Sequence, residues 1–186
     1  MIKIKKLLRS RLSQKRYDHS LRVAKTSLKI AVKYNLNFGD KKKLYIASLL
    51  HDLLKESSPR MLKKENWNLD NYLEDTYDKF PQIWHGFMAA KLIKNLKIQN
   101  KKIINAIKNH STGNKNMDII SQILFIADAV EPGRNYVERK QIYQIAEKNL
   151  NQATSIIINN LIKVLKIGNK KIHPNSLKCH SFYNEI

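Results

Sequence analysis

Cysteine, glycine, proline and acidic residues are all scarce in this sequence. The single cysteine, Cys179, rules out an intrachain disulfide and suits a reducing compartment, so a cytoplasmic protein is expected. Five glycines and four prolines leave few turns for a loop-rich β architecture. No apolar run approaches the ~20 residues needed to span a bilayer. Residues 1–17 are basic and free of acids, yet they lack the continuous apolar segment of a secretory signal. They read as a short basic amphipathic helix over about 1–15 rather than as a transit peptide.

Only 15 acids face 35 lysines and arginines, a formal charge of +20. Such a surface attracts nucleic acid, anionic lipid or polyphosphate. The lysines are spread along the whole chain, however, as general drift in residue usage would also leave them. The charge favours an anionic substrate, and nucleic acid is not expected as the main partner. With 42% hydrophobic residues over 186 positions, one domain with a substantial core is expected. That domain spans 1–186, with its core at about 16–168 and an irregular tail at 169–186.

Periodicity predicts an all-α chain. Arg16–Tyr34 carries Leu21, Ala24, Leu28 and Ala31 on one face, with His19 at its start and Arg22 three residues on. Asn37–Asp40 reads as a loop in which Gly39 turns and Asp40 caps the next helix, Lys41–Lys55. Within that helix Leu49–Lys55 reads Leu-Leu-His-Asp-Leu-Leu-Lys. A His–Asp doublet among leucines is costly to bury unless hydrogen bonds or a cation satisfy it, and a divalent metal suits imidazole and carboxylate. Ser58-Pro59 restarts the chain, and short helices are expected over Arg60–Lys79. Pro81 opens a helix to about Lys97, with His85 near its start. Lys101–His110 ends on His110, and Ser111-Thr112-Gly113 stops it. Met117–Val130 leads an apolar stripe to Asp128, whose carboxylate needs a cation, either Arg134 or a metal. Arg134 in turn pairs with Asp128 or grips a phosphate. Two further helices, Val137–Asn149 and Asn151–Ile167, end at Gly168, the expected C′ residue.

His19, His51, Asp52, His85, His110 and Asp128 thus fall on the inward faces or ends of five helices. Of the six histidines only His173 and His180, in the tail, stand outside. Facing helices of a bundle can project such ligands into one polar centre.

The order His19, His51–Asp52, Asp128 resembles the H…HD…D signature of the HD-domain metal-dependent phosphohydrolases. Trp84-His85-Gly86, Asn109–Gly113, Ala127–Arg134 and Ile172-His173-Pro174 are similar to one subgroup, the YqeK-type symmetrical bis(5'-nucleosyl)-tetraphosphatases. The likeness extends from His19 to the tail. Ser111 departs from the threonine expected there, and the basicity departs without touching a motif. The resemblance implies a helical HD fold and hydrolysis of diadenosine tetraphosphate to two ADP by metal-bound water. It implies iron, as one ion or two, with manganese or zinc as alternatives. His19, His51, Asp52 and Asp128 would bind metal; Arg22, His85, His110 and Arg134 would contact phosphates. Asp52, His85, His110 and Arg134 would carry the catalytic roles, and His173 would touch a nucleoside. A homodimer is implied as well.

Two other functions fit the residues. One is an HD-type nucleotidase or phosphodiesterase acting on other nucleotides. The other is a basic module for RNA or anionic lipid with a vestigial site, whose RNA retention would survive His51→Ala and Asp52→Ala.

Overall fold

The computed structural model describes residues 2–67 and 69–185, and among them it contains eleven helices and no strand. They are α1 (Ile2–Arg11), α2 (Gln14–Lys33), α3 (Phe38–Leu50), α4 (Pro59–Lys64), α5 (Asn71–Lys79) and α6 (Trp84–Asn95). The series continues with α7 (Lys101–Asn109), α8 (Ile119–Val130), α9 (Arg139–Ala146), α10 (Leu150–Ile167) and α11 (Pro174–Glu185).

Side-chain caps start most of these helices, because the first backbone N–H groups of a helix lack internal partners. Ser13, Asn37, Ser58, Asp70, Asn100, Asp118 and Asn149 each accept a hydrogen bond from the first turn. Asn37, not Asp40, caps α3; Asn37 Oδ1 accepts from Asp40 N at 2.8 Å, so Gly39 lies inside the helix. Pro59 takes the first position of α4, where its missing N–H costs nothing.

The centre of the fold is α2, α3, α7 and α8 packed on one another, with α6 laid against α7. Leu44, Leu49, Leu50, Leu53, Leu54, Ile107 and Leu124 are fully buried there. The second tier is α9 and α10 against α8.

Besides the cap of α3, four expectations need correction. The helix read as Lys41–Lys55 ends at Leu50, and residues 51–56 continue as tight turns. Leu53, Lys55 and Ser57 donate to carbonyls three residues back, so the backbone winds more tightly through the His–Asp doublet. The helix expected from Pro81 begins at Trp84. Gly168 has φ −80°, and the left-handed position falls on Asn169, at φ 48°. The tail expected to be irregular is α11. Its buried stripe of Ser176, Cys179 and Tyr183 has helical spacing, but small and polar members make that spacing hard to read as apolar. Among the described residues no helix is long and apolar enough to cross a membrane.

Candidate metal centre

Five elements bring the six residues together. His19 projects from α2, His85 from the first turn of α6 and Asp128 from the last turn of α8. His51–Asp52 and His110 stand immediately beyond the last residues of α3 and α7. Past His51 the backbone winds more tightly, so the adjacent His51 and Asp52 side chains can turn toward a common point, whereas His110 keeps helical dihedrals at the end of α7. His51 is fully buried, and His19, Asp52, His85 and His110 are nearly so. Gly86 makes room for the His110 ring, since a Cβ there would sit 3.0 Å from its Cε1.

Asp52 joins two halves of the centre. Its Oδ2 lies 3.5 Å from His19 Nε2 and 3.6 Å from His51 Nε2. Its Oδ1 lies 3.0 Å from His85 Nε2 and 3.6 Å from His110 Nε2. Asp128 Oδ1 closes the first half, 3.1 Å from His19 Nε2 and 3.9 Å from His51 Nε2. Three ligand sets arise: His19–His51–Asp52, His51–His110–Asp128 and Asp52–His85–His110, each with donor atoms within 4.8 Å of one another.

The hydrogen bonds at the far side of each ring assign the tautomers. His51 Nδ1 lies 2.7 Å from the Ser48 carbonyl, and His110 Nδ1 lies 2.7 Å from the Ile107 carbonyl. A carbonyl only accepts, so both protons sit on Nδ1 and both Nε2 lone pairs face the centre. His19 Nδ1 faces Glu131 Oε1 at 3.1 Å and is fixed in the same sense. The bare Nε2 atoms of His19 and His51 therefore meet at 3.3 Å, a repulsive contact that a cation between them converts into ligation. The residues present fit a divalent metal ion. His85 differs: Lys55 Nζ lies 3.5 Å from its Nδ1, and Ser111 Oγ lies 3.3 Å from its Nε2.

Electrostatics agree with this donor set. Burial pushes His51 and His85 down to about 4, so both rings are neutral near pH 7. Burial works against ionisation of Asp52, but His51, His110 and His85 outweigh it and hold its carboxyl well below the usual range. Asp128 is held low in the same way, by His19, His51 and Arg134 against burial.

Arginines reach both ligand carboxylates. Arg16 donates to Asp52 Oδ2 at 2.8 Å. Arg134 Nε donates to the Asp128 carbonyl at 2.9 Å, and its Nη2 pairs with Asp128 Oδ1. Arg134 thus satisfies Asp128, as one reading of the sequence allowed. Arg22 instead binds Glu131 Oε2 at 2.6 Å, one residue-pair removed from the ligands. His173 stands apart, packed on Phe80 and Phe87 with ring centroids 4.9 and 5.2 Å away.

Sequence reasoning missed Arg16, Lys55, Ser111 and Glu131. Arg16 precedes His19 by one helical step, and Lys55 follows Asp52 by one tight turn, so spacing alone could have found both. The sequence pattern gives Glu131 no role of its own. It accepts from Arg22 and from Gly133 N at 2.6 Å while holding His19.

The HD domain family model matches residues 16–133, the span that runs from Arg16 through Asp128 and Glu131. This chain belongs to the HD domain family. Among its relatives is a symmetrical bis(5'-nucleosyl)-tetraphosphatase of Staphylococcus aureus, 30% identical, covering 98% of this chain and 93% of that one. A protein of the same name from Bacillus subtilis is 26% identical over 94% of this chain and 92% of its own length. A crystal structure from Clostridium acetobutylicum, described as a predicted HD superfamily hydrolase involved in NAD metabolism, superposes with a TM-score of 0.85. It is 29% identical and covers 98% of this chain and 96% of that one.

Proposed function

We propose that this HD domain protein is a metal-dependent hydrolase that splits diadenosine tetraphosphate symmetrically into two ADP. The observation that carries the proposal is the buried donor cluster of His19, His51, Asp52 and Asp128 beneath an opening with cationic walls. A cavity of about 270 Å³ lies over the centre, and Lys55, His110, Ser111, Asp128 and Arg134 line it. The relatives that align over nearly their whole length bear the name of that activity.

His19, His51, Asp52 and Asp128 would hold the metal, for which we propose iron. Manganese and zinc suit the same donors, and metal analysis of the purified protein separates them. When bound, the ion supplies Lewis-acid polarisation of phosphoryl oxygens and lowers the pKa of water. Glu131 keeps the His19 proton on Nδ1 and so keeps Nε2 available. Arg134 and Lys55 neutralise the bridging phosphates, and the planar guanidinium orients them through paired donors. His110 faces the same cavity, where its bare Nε2 would meet a phosphate oxygen through a bridging water. His85 carries its proton on Nε2 in the arrangement set by Lys55, where it can pass to a leaving phosphate oxygen. Arg22 would reach the outer phosphates. His173 lies in the adjoining cavity toward α11, which would receive a nucleoside.

A substrate panel tests this reading. Metal-loaded protein should cleave diadenosine tetraphosphate at least about a hundredfold faster than nucleoside monophosphates or cyclic dinucleotides. Comparable cleavage of monophosphates would assign the centre to a nucleotidase instead. RNA retention unchanged in His51→Ala, with no turnover of any nucleotide, would assign the chain to a binding module.

A further inference from the structure

The cavity over the metal centre is the middle of a longer groove. On one side it shares Gln82, Ile83, Ser111 and Leu161 with a cavity of about 320 Å³ that runs to the start of α11. On the other it shares Ala129, Arg134, Ile157 and Leu161 with a cavity of about 690 Å³ beneath α9 and α10. Leu161 borders all three, so the ligands lie under the midpoint of one continuous channel.

The two ends differ in chemistry. The α11 end is basic and aromatic, with Lys79, Lys170 and Lys171 around Phe80 and His173. The α10 end is walled by Ile142, Ile157, Val164 and Ile167, with Tyr136, Glu138, Asn160 and Lys163 as its polar groups. Val164 and Ile167 are 66% and 74% exposed, apolar side chains left open to solvent at the groove.

We propose that the α9–α10 cavity is a second nucleoside pocket, unlike the first. The proposal rests on the dinucleotide reading of the centre. One nucleoside would occupy the α11 end, the phosphates would cross Lys55 and Arg134, and the other nucleoside would lie against α10. A purine offers flat faces to aliphatic walls, and its edge carries both donors and acceptors, which the Asn160 amide can match. Arg134 lines both this cavity and the central one, which ties the pocket to a phosphate-bearing occupant rather than to a second copy of the chain. A symmetrical substrate is therefore held asymmetrically, and its two product halves leave from pockets of different affinity.

Calorimetric titration of the metal-loaded full chain with ADP tests this. Two ADP per chain are expected, with unequal affinities. Val164→Trp fills the α10 cavity and Ile167→Asp puts a carboxylate at its mouth, and each should abolish one of the two sites. Both positions are exposed, so folding is not at stake, and a circular dichroism melt confirms it. One ADP per chain in the wild type, or two with unchanged affinities in both variants, would overturn the proposal. Hydrolysis of diadenosine tetraphosphate with only one ADP site keeps the function and removes the pocket. Two sites without hydrolysis keep the pocket and remove the function. A changed sedimentation coefficient in Val164→Trp, with ADP stoichiometry intact, would make the face an interface between copies and also overturn the proposal.

Discussion

Gly113 ends the loop after His110 with φ +62°, and a Cβ there would fall 2.5 Å from Cys179 Sγ. Gly113→Ala meets both a strained backbone and a blocked space, and should cost about 1–3 kcal/mol in urea unfolding. Cys179 itself is fully buried, and burial pushes its thiol up to about 12. Folding thus favours the protonated thiol. Its contribution to stability is complete below the ordinary thiol pKa and is lost as pH rises toward 12. The measurable consequence is kinetic: Cys179 should not react with a thiol reagent at pH 8 until the chain is unfolded. At the centre, Arg134→Lys should retain metal and fold normally but lose turnover about 10²- to 10³-fold, since an ammonium lacks the planar fork. Unchanged turnover would make Arg134 only a partner for Asp128. The six histidines and aspartates were legible as residues because helix spacing put them inward. Glu131 was not, because its role depends on His19, Arg22 and Gly133 meeting across the fold.

At the scale of elements, most helices were visible in the spacing of their apolar residues, and Ser58-Pro59 marked the start of α4. The departures fall where the chain leaves regular helix. Tight turns through residues 51–56 carry the doublet, and a sequence of leucines on every side gives no sign of where α3 stops. Helix α11 escaped detection because its buried face holds Ser176, Cys179 and Tyr183 rather than aliphatics. That helix is nonetheless tied in: Tyr183 Oη accepts from Met117 N at 3.0 Å, a bond in the interior between α11 and the approach to α8. Tyr183→Phe should leave the buried Met117 N–H unpaired and lower stability by about 1–3 kcal/mol, read by thermal unfolding. No loss would place water at that amide in solution.

Across the whole molecule, the charge of +20 surrounds a centre whose proposed substrate is a polyanion. Long-range attraction should raise the encounter rate, so kcat/KM for diadenosine tetraphosphate should fall about tenfold or more between low and high salt. A flat salt profile would separate the surface charge from catalysis. The HD family match spans residues 16–133, and within that span the fold gathers His19, His51, Asp52, His85, His110 and Asp128 around one point. The most direct test of that centre is separation of the nucleotide products by ion exchange after incubation of metal-loaded protein with diadenosine tetraphosphate, beside His51→Ala. ADP as the sole product, absent with the variant, is the predicted result. ATP and AMP in equal amounts, or ADP formed equally well by His51→Ala, would contradict the account.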